Sequence, residues 1–286
     1  MRPSTSIFWS ALLTCFLLFT PLSHGANIIL GTIEESPKKG ITEFQPLVDY
    51  LTTHIGVSNH IKFEVVVLSS LVDMKNALKS GIIDIYIDSP LSVENVCSED
   101  VCDISLRRWK KGIEKYHSVI FTRKDSGINT EKDLLGKTIA FEEPFSTSSF
   151  LLPKASLLIC CNISLQEKAD NSNGFIFSGD DENTMVWVIR RKIDAGAMSE
   201  ASYTKLAKKR IKDLHIIHRT IDLPRHVVAI RKGLGEEHKK LMLNTLVQMH
   251  KSDAGKATLK KFNKTAKFDA ISEQERKDIS MISSKL

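Results

Sequence analysis

The chain of 286 residues lacks the compact signatures of nucleotide hydrolysis, dinucleotide binding and serine-type acyl transfer. It has no Gly-x-x-x-x-Gly-Lys phosphate loop, no Gly-x-Gly-x-x-Gly after a strand and no Gly-x-Ser-x-Gly elbow. Metal-site spacing is missing too. The histidines of His215-Ile216-Ile217-His218 would fall on opposite faces of a strand, and no cysteine or carboxylate cluster completes a set. Past the opening segment, no hydrophobic run is long enough to cross a bilayer. Nor is there a block of one charge: the formal +6 is spread along the chain, with only brief clusters such as Lys208-Lys209-Arg210 and Lys260-Lys261. That favours solvated faces over a nucleic-acid groove and leaves a mild basic field that would attract small anions. These absences point to a binder and not an enzyme, with no cofactor and no nucleic-acid partner implied.

What is present fits an exported globular protein. Apolar residues make up 42% and charged residues 26% of a chain long enough for one large or two ordinary domains. Arg2, the apolar run 7–19, the break at Pro21 and the small-residue pattern Ser23-His24-Gly25 read as a signal peptide over residues 1–25, cleaved after Gly25. Cys15 lies inside that apolar run, which argues against a lipoprotein. Four cysteines remain, in a compartment that permits disulfides. Cys97 and Cys102 flank a short acidic loop and are expected to staple it. Cys160-Cys161 reads either as two buried thiols or as an adjacent-residue disulfide.

Periodicity predicts an alternation of elements. A strand at 26–31 leads through a loop with Glu34, Glu35, Ser36 and Pro37 to a helix in which Phe44, Leu47, Val48, Leu51 and Ile55 recur. A strand at 61–68, a helix at 71–79 ending before Gly81 and a strand at 82–88 follow. This order implies a parallel sheet whose ligand crevice lies at the carboxyl ends of the strands, where Glu35-Ser36 and 86–89 would sit. A strand at 116–122 precedes a second block: strand 137–141, helix 147–160, strand 174–177, helix 181–191, strand 193–197, helix 201–209 and strand 214–218. Strand 227–230 and three closing helices, 236–250, 253–262 and 272–283, complete the chain. Two such blocks imply two α/β lobes.

The stretch from Phe141 to Pro153 carries the most chemistry. After a strand and a short turn, Ser146-Thr147-Ser148-Ser149 opens an apolar helix. Orphan amides, the positive end of the helix dipole and several hydroxyls could all face one tetrahedral oxyanion. An ordinary N-cap would need only one of those hydroxyls.

Several ordered segments together resemble a known family. They are Gly81-Ile82-Ile83-Asp84 with Ser89-Pro90, Tyr116-His117-Ser118-Val119-Ile120, Asp125-Ser126-Gly127-Ile128, and Asp133-Leu134-Leu135-Gly136-Lys137-Thr138. Glu143-Pro144-Phe145-Ser146-Thr147-Ser148-Ser149-Phe150 is the most specific, followed by Asp194-Ala195-Gly196-Ala197 and Leu223-Pro224. The resemblance is to the phosphate/phosphonate-type periplasmic substrate-binding proteins of ABC transporters, with the α/β, two-lobed type 2 periplasmic binding fold.

The resemblance implies a cleft and hinge between lobe I (26–118 plus 222–286) and lobe II (119–221). It also implies a monomer in the periplasm that passes a small oxyanion, such as phosphate, phosphonate or phosphite, to an ABC permease. The alternative is a sensory receptor of the same fold that docks on a membrane sensor protein. Ser146, Thr147 and Ser148 become the oxyanion ligands, and Asp194 takes the place of a cleft aspartate, although an acid between a helix and a strand is also ordinary. Tyr86 and Asp88 fall where cleft residues are expected, and Tyr86 could equally be core. Ser89 reads as a second donor or a helix cap, and Arg225 as an oxyanion clamp or an ordinary exposed arginine. One departure concerns the ligand. Where phosphonate-binding members commonly carry a histidine, this chain has Gly179-Asp180-Asp181-Glu182. These acids either start a helix or, with Asp181 in the cleft, suit a ligand with an anionic and a cationic end.

Overall fold

The computed structural model describes residues 26–34, 36–168 and 174–286. The expected signal peptide and Glu35 lie outside the described residues.

β-branched runs form the strands of two sheets. The first sheet runs, edge to edge, Phe268–Ala270, Cys102–Arg108, His226–Arg231, Ile85–Asp88, Ala26–Ile33 and Ile61–Leu68. The second runs Leu214–Arg219, Ser118–Arg123, Ala195–Ser199, Thr138–Phe141 and Gly174–Phe177. Between them, Lys115–Tyr116 and Leu223–Pro224 pair antiparallel where the chain crosses over and returns. Apolar clusters cover both faces of each sheet.

The expected parallel order holds only for three strands of each sheet: Ala26–Ile33 with its two neighbours, and Thr138–Phe141 with its two. His226–Arg231 and Ser118–Arg123 run antiparallel because each enters its sheet directly from a crossover, at the end opposite to the helix-linked strands. Besides the two-residue Leu223–Pro224, two of the described strands were not expected. In Cys102–Arg108, Cys102, Ile104, Leu106 and Arg108 point inward alternately, and the buried arginine disguises the pattern. Phe268–Ala270 is three residues long, lies between two helices and anchors through buried Phe268.

The first helix, Pro37–Leu51, begins earlier than its apolar spacing suggests. Pro37 suits an opening turn, and the buried position 40 takes glycine because a Cβ there would lie 2.8 Å from Val67 Cγ2. Cys97–Cys102 is a disulfide, as expected. Cys160 and Cys161 are also bonded to each other, and Cys160 is exposed, so the buried-thiol reading is set aside.

An aspartate performs the same task in each sheet. Asp84, just before Ile85–Asp88, accepts the Ile29 amide at 3.0 Å and donates its own amide to the Ile29 carbonyl at 2.9 Å. Asp194, just before Ala195–Ser199, accepts the Thr138 amide at 2.9 Å, and its amide bonds the Thr138 carbonyl at 3.2 Å. Both tie the start of a strand to its parallel neighbour. Asp194 therefore sits at the amino ends of the strands, away from the cleft expected for it, and this corrects its assignment as a ligand residue.

His117 occupies the first crossover, between Tyr116 and Ser118. Its Nδ1 lies 2.9 Å from Asp222 on the return crossover, and its Nε2 contacts Glu200, which also pairs with Arg219. Partial burial opposes the charged imidazolium, but Asp222 and Glu200 outweigh it and raise the pKa. A raised folded-state pKa gives stability that is complete below the unfolded value and lost as pH rises through the folded one. His117→Ala should therefore lower the melting temperature by at most about 2–4 °C near pH 5.5, because the pair is partly exposed. That difference should shrink toward about pH 9, once the imidazole is neutral. Melting curves of both proteins across this range check it, and a difference that grows with pH would reverse the assignment.

Candidate functional site

Two helix starts meet between the sheets. In the first sheet, Ile85–Asp88 ends at Ser89, and Pro90–Cys97 begins with proline at its first position. In the second, Thr138–Phe141 runs through 142–146 into Thr147–Leu151, which continues as Leu152–Cys161. Ser146 is the cap: its Oγ accepts the Ser149 amide at 3.2 Å. Thr147, only 4% exposed, donates from Oγ1 to Ser89 Oγ at 3.1 Å, so the two lobes touch hydroxyl to hydroxyl. Ser89 does not cap its own helix and instead donates to Ser92 Oγ at 2.9 Å. The half-buried Ser148 is held through its carbonyl, which accepts from Ser118 Oγ at 2.6 Å. The amides of Thr147 and Ser148 have no hydrogen-bond partner among the described residues. Thr147 and Ser89 are thus in contact across the two sheets, with Ser146 and Ser148 flanking Thr147 in the same turn, and Ser89 does not take the capping role open to it.

Carboxylates hold the edges of this cluster. Tyr86 Oη donates to Asp88 Oδ2 at 3.0 Å, and the Ser89 amide donates to Asp88 Oδ1 at 2.6 Å. Burial raises the Asp88 pKa, against the Ser89 amide, Lys110, Tyr86 and Arg108. Tyr86 is fully buried, and burial together with Asp88 lifts its pKa well above the ordinary value. Its body belongs to the core, yet it also borders a cavity of about 210 Å³ shared with Ser70, Asp88, Ser89, Ser92 and Phe145. Both readings of Tyr86 therefore apply.

On the other lobe the acidic run divides. Asp180 caps Asp181–Ile189 by accepting the Asn183 amide, Glu182 is exposed, and Asp181 Oδ1 accepts from Ser149 Oγ at 2.9 Å. Glu142 lies beside Ser146 and Ser149. Burial raises its pKa, the two serine hydroxyls oppose the rise, and Asp181 and Glu143 reinforce it.

Sequence reasoning missed Phe145, Glu142 and Ser92 as neighbours of the site. Phe145 is 68% exposed although it borders the cavity of the opposite lobe. A large exposed aromatic at the tip of the hydroxyl turn was the one available signal. Arg225 holds its guanidinium 5.0 Å from the centre of the Tyr116 ring, whose hydroxyl lies against the Thr147 side chain.

Known proteins share this architecture. A Xanthomonas citri protein solved with ATP bound, XAC2383, superposes with a TM-score of 0.79 at 23% identity, covering 91% of this chain and 96% of that one. PhnD1 from Prochlorococcus marinus (MIT 9301), solved with methylphosphonate, gives 0.64 at 19% identity, covering 91% and 98%. At these identities the superpositions establish the fold. The phosphonates-binding periplasmic protein of Escherichia coli (strain K12) is 29% identical over 157 residues, a match spanning 52% of this chain and 45% of that protein. The family described as "ABC transporter, phosphonate, periplasmic substrate-binding protein" matches residues 31–275, and the chain belongs to that family.

Proposed function

We propose that the chain is a periplasmic receptor that captures a small tetrahedral oxyanion, of the phosphonate, phosphate or phosphite type, and presents it to an ABC permease. The observation that carries this reading is the 3.1 Å contact between Thr147 and Ser89, each at the start of a helix from a different sheet. Hydroxyls at two helix starts can rotate their protons onto one oxyanion, and the free amides of Thr147 and Ser148 add fixed donors. The ligands named for the two solved relatives, ATP and methylphosphonate, share a tetrahedral phosphorus oxyanion.

The lobes in this reading are 26–118 with 222–286, and 119–221. They hinge at the crossovers, where sheet membership changes between Tyr116 and Ser118 and again between Arg219 and Leu223. Closure would bring Ser89 and the Ser146–Ser148 hydroxyls onto opposite sides of the ligand. A membrane sensor protein in place of the permease would use the same cleft and hinge.

Calorimetry of the chain lacking residues 1–25 against phosphate, phosphite, methylphosphonate, 2-aminoethylphosphonate and sulfate tests the assignment. Saturable binding of at least one phosphorus oxyanion is expected, and no binding by any of the five would refute it. A preference for 2-aminoethylphosphonate over methylphosphonate would show that Asp181 and Glu142 read a cationic substituent.

A further inference from the structure

The hinge side of the cleft holds cations that the hydroxyl cluster does not use. His226 pairs with Arg108 across adjacent antiparallel strands. That register brings Arg225, which precedes one strand, close to Lys110, which follows the other. Arg108 is occupied: it is buried, stacks on Phe262 and bonds Thr265, with Glu43 at 3.5 Å. Lys110 and Arg225 have no ion-pair partner among the described residues, although both are half-buried. Burial and the neighbouring Arg108 lower the Lys110 pKa to about 8, against Glu43 and Asp88, so these two carboxylates offset the positive charge of the cluster only in part.

A second observation points the same way. Tyr116 is only 8% exposed, and its hydroxyl lies against the Thr147 side chain without completing a hydrogen bond. Burial pushes its pKa up to about 12, so it is a neutral donor at every physiological pH. Tyr116 and Arg225 line a groove of about 900 Å³ between the lobes, with Lys111, Lys115, Ser199 and Lys205 also on its walls. The one carboxylate on those walls, Glu200, is already bonded to His117 and Arg219. Lobe II differs, since its acids Glu142 and Asp181 lie against Ser146 and Ser149. Arg225 thus lines an open groove, Lys110 lies near Arg225, and the Tyr116 hydroxyl connects this pair of cations to Thr147 of the hydroxyl cluster.

We propose that Lys110, Arg225 and the Tyr116 hydroxyl form a second anionic subsite, so that the preferred ligand is an organophosphorus compound with two anionic groups. One group would sit at the Ser146–Ser148 hydroxyls and the other on the hinge side. This rests on the oxyanion reading given above and names the class of substituent that the receptor selects.

The test compares methylphosphonate with 3-phosphonopropionate and methylenediphosphonate by calorimetry at neutral pH, on the wild-type chain and on Arg225→Gln and Lys110→Gln. At least one of the two-anion ligands should bind roughly tenfold or more tightly than methylphosphonate, as a charge-assisted contact would give. Each substitution should cut that ratio severalfold, with melting curves confirming that the variants are folded. Equal wild-type affinities, or variants that weaken all three ligands by the same factor, would overturn the subsite and leave the oxyanion site standing. Wild-type protein that binds none of the three would overturn both.

Discussion

Alanine at both Ser146 and Thr147 is expected to weaken methylphosphonate binding by well over tenfold in calorimetry, because charge-assisted hydrogen bonds in a closed cleft are strong. The double variant removes two donors with different duties. Thr147 Oγ1 meets Ser89 across the cleft, whereas Ser146 Oγ also caps the helix by accepting the Ser149 amide. Some cost in stability therefore accompanies the loss of affinity, on the order of 1 kcal/mol for the missing cap. Thr147→Ser keeps the hydroxyl and should retain most of the affinity, which separates loss of the donor from loss of packing. If the double variant binds as tightly as the wild type, the ligand sits elsewhere.

The largest effect on stability is expected at Arg108. This guanidinium is 1% exposed, lies 3.5 Å from the centre of the Phe262 ring and donates to Thr265 Oγ1 at 3.0 Å and to the Phe262 carbonyl at 3.3 Å. Burial lowers its pKa to about 10, against Glu43 and Asp88, so it remains cationic at neutral pH. Arg108→Ala removes the stacking stem, empties volume beside Phe262 and leaves Glu43 without its cation. A loss of about 3–5 kcal/mol follows from breaking a buried pair on one side. Urea denaturation at neutral pH measures it. Arg108→Met combined with Glu43→Gln keeps the volume and removes both charges, and it should recover much of the loss. A cost for Arg108→Ala below about 1 kcal/mol would mean that the pocket relaxes around the missing side chain.

Most of the architecture was legible because apolar periodicity reports local geometry. The strands around residues 26, 61, 138 and 174, and the helix that follows the hydroxyl turn, all lie where their patterns place them. What escaped depends on partners distant in sequence. Cys102–Arg108 alternates properly only if a buried arginine is allowed on the inward face, and the aromatic ring that accommodates it lies at Phe262. Tyr116 reads as the start of one strand, but the chain breaks that strand at His117 to pass between the sheets. Lys110 opens a short turn that reads as surface, and only the pairing of His226 with Arg108 brings it near Arg225.

The hydroxyls were visible because four of them are consecutive, whereas the cations of the proposed hinge-side subsite, Lys110 and Arg225, lie in distant parts of the chain. Asp194 shows the reverse failure. A position just before a strand says nothing of which end of the sheet faces the other lobe, and the Thr138 amide had already claimed that carboxylate.

The twin aspartates Asp84 and Asp194 have a consequence for how such a receptor can change over generations. Each fastens its strands at the amino ends, while the loops that carry Ser89, Ser146 and Asp181 leave from the carboxyl ends. The two ends are under separate selection. Substitutions in those loops can retune what is captured without loosening the fastenings, so a lineage of these proteins can drift from one ligand to another on a scaffold that never has to be rebuilt.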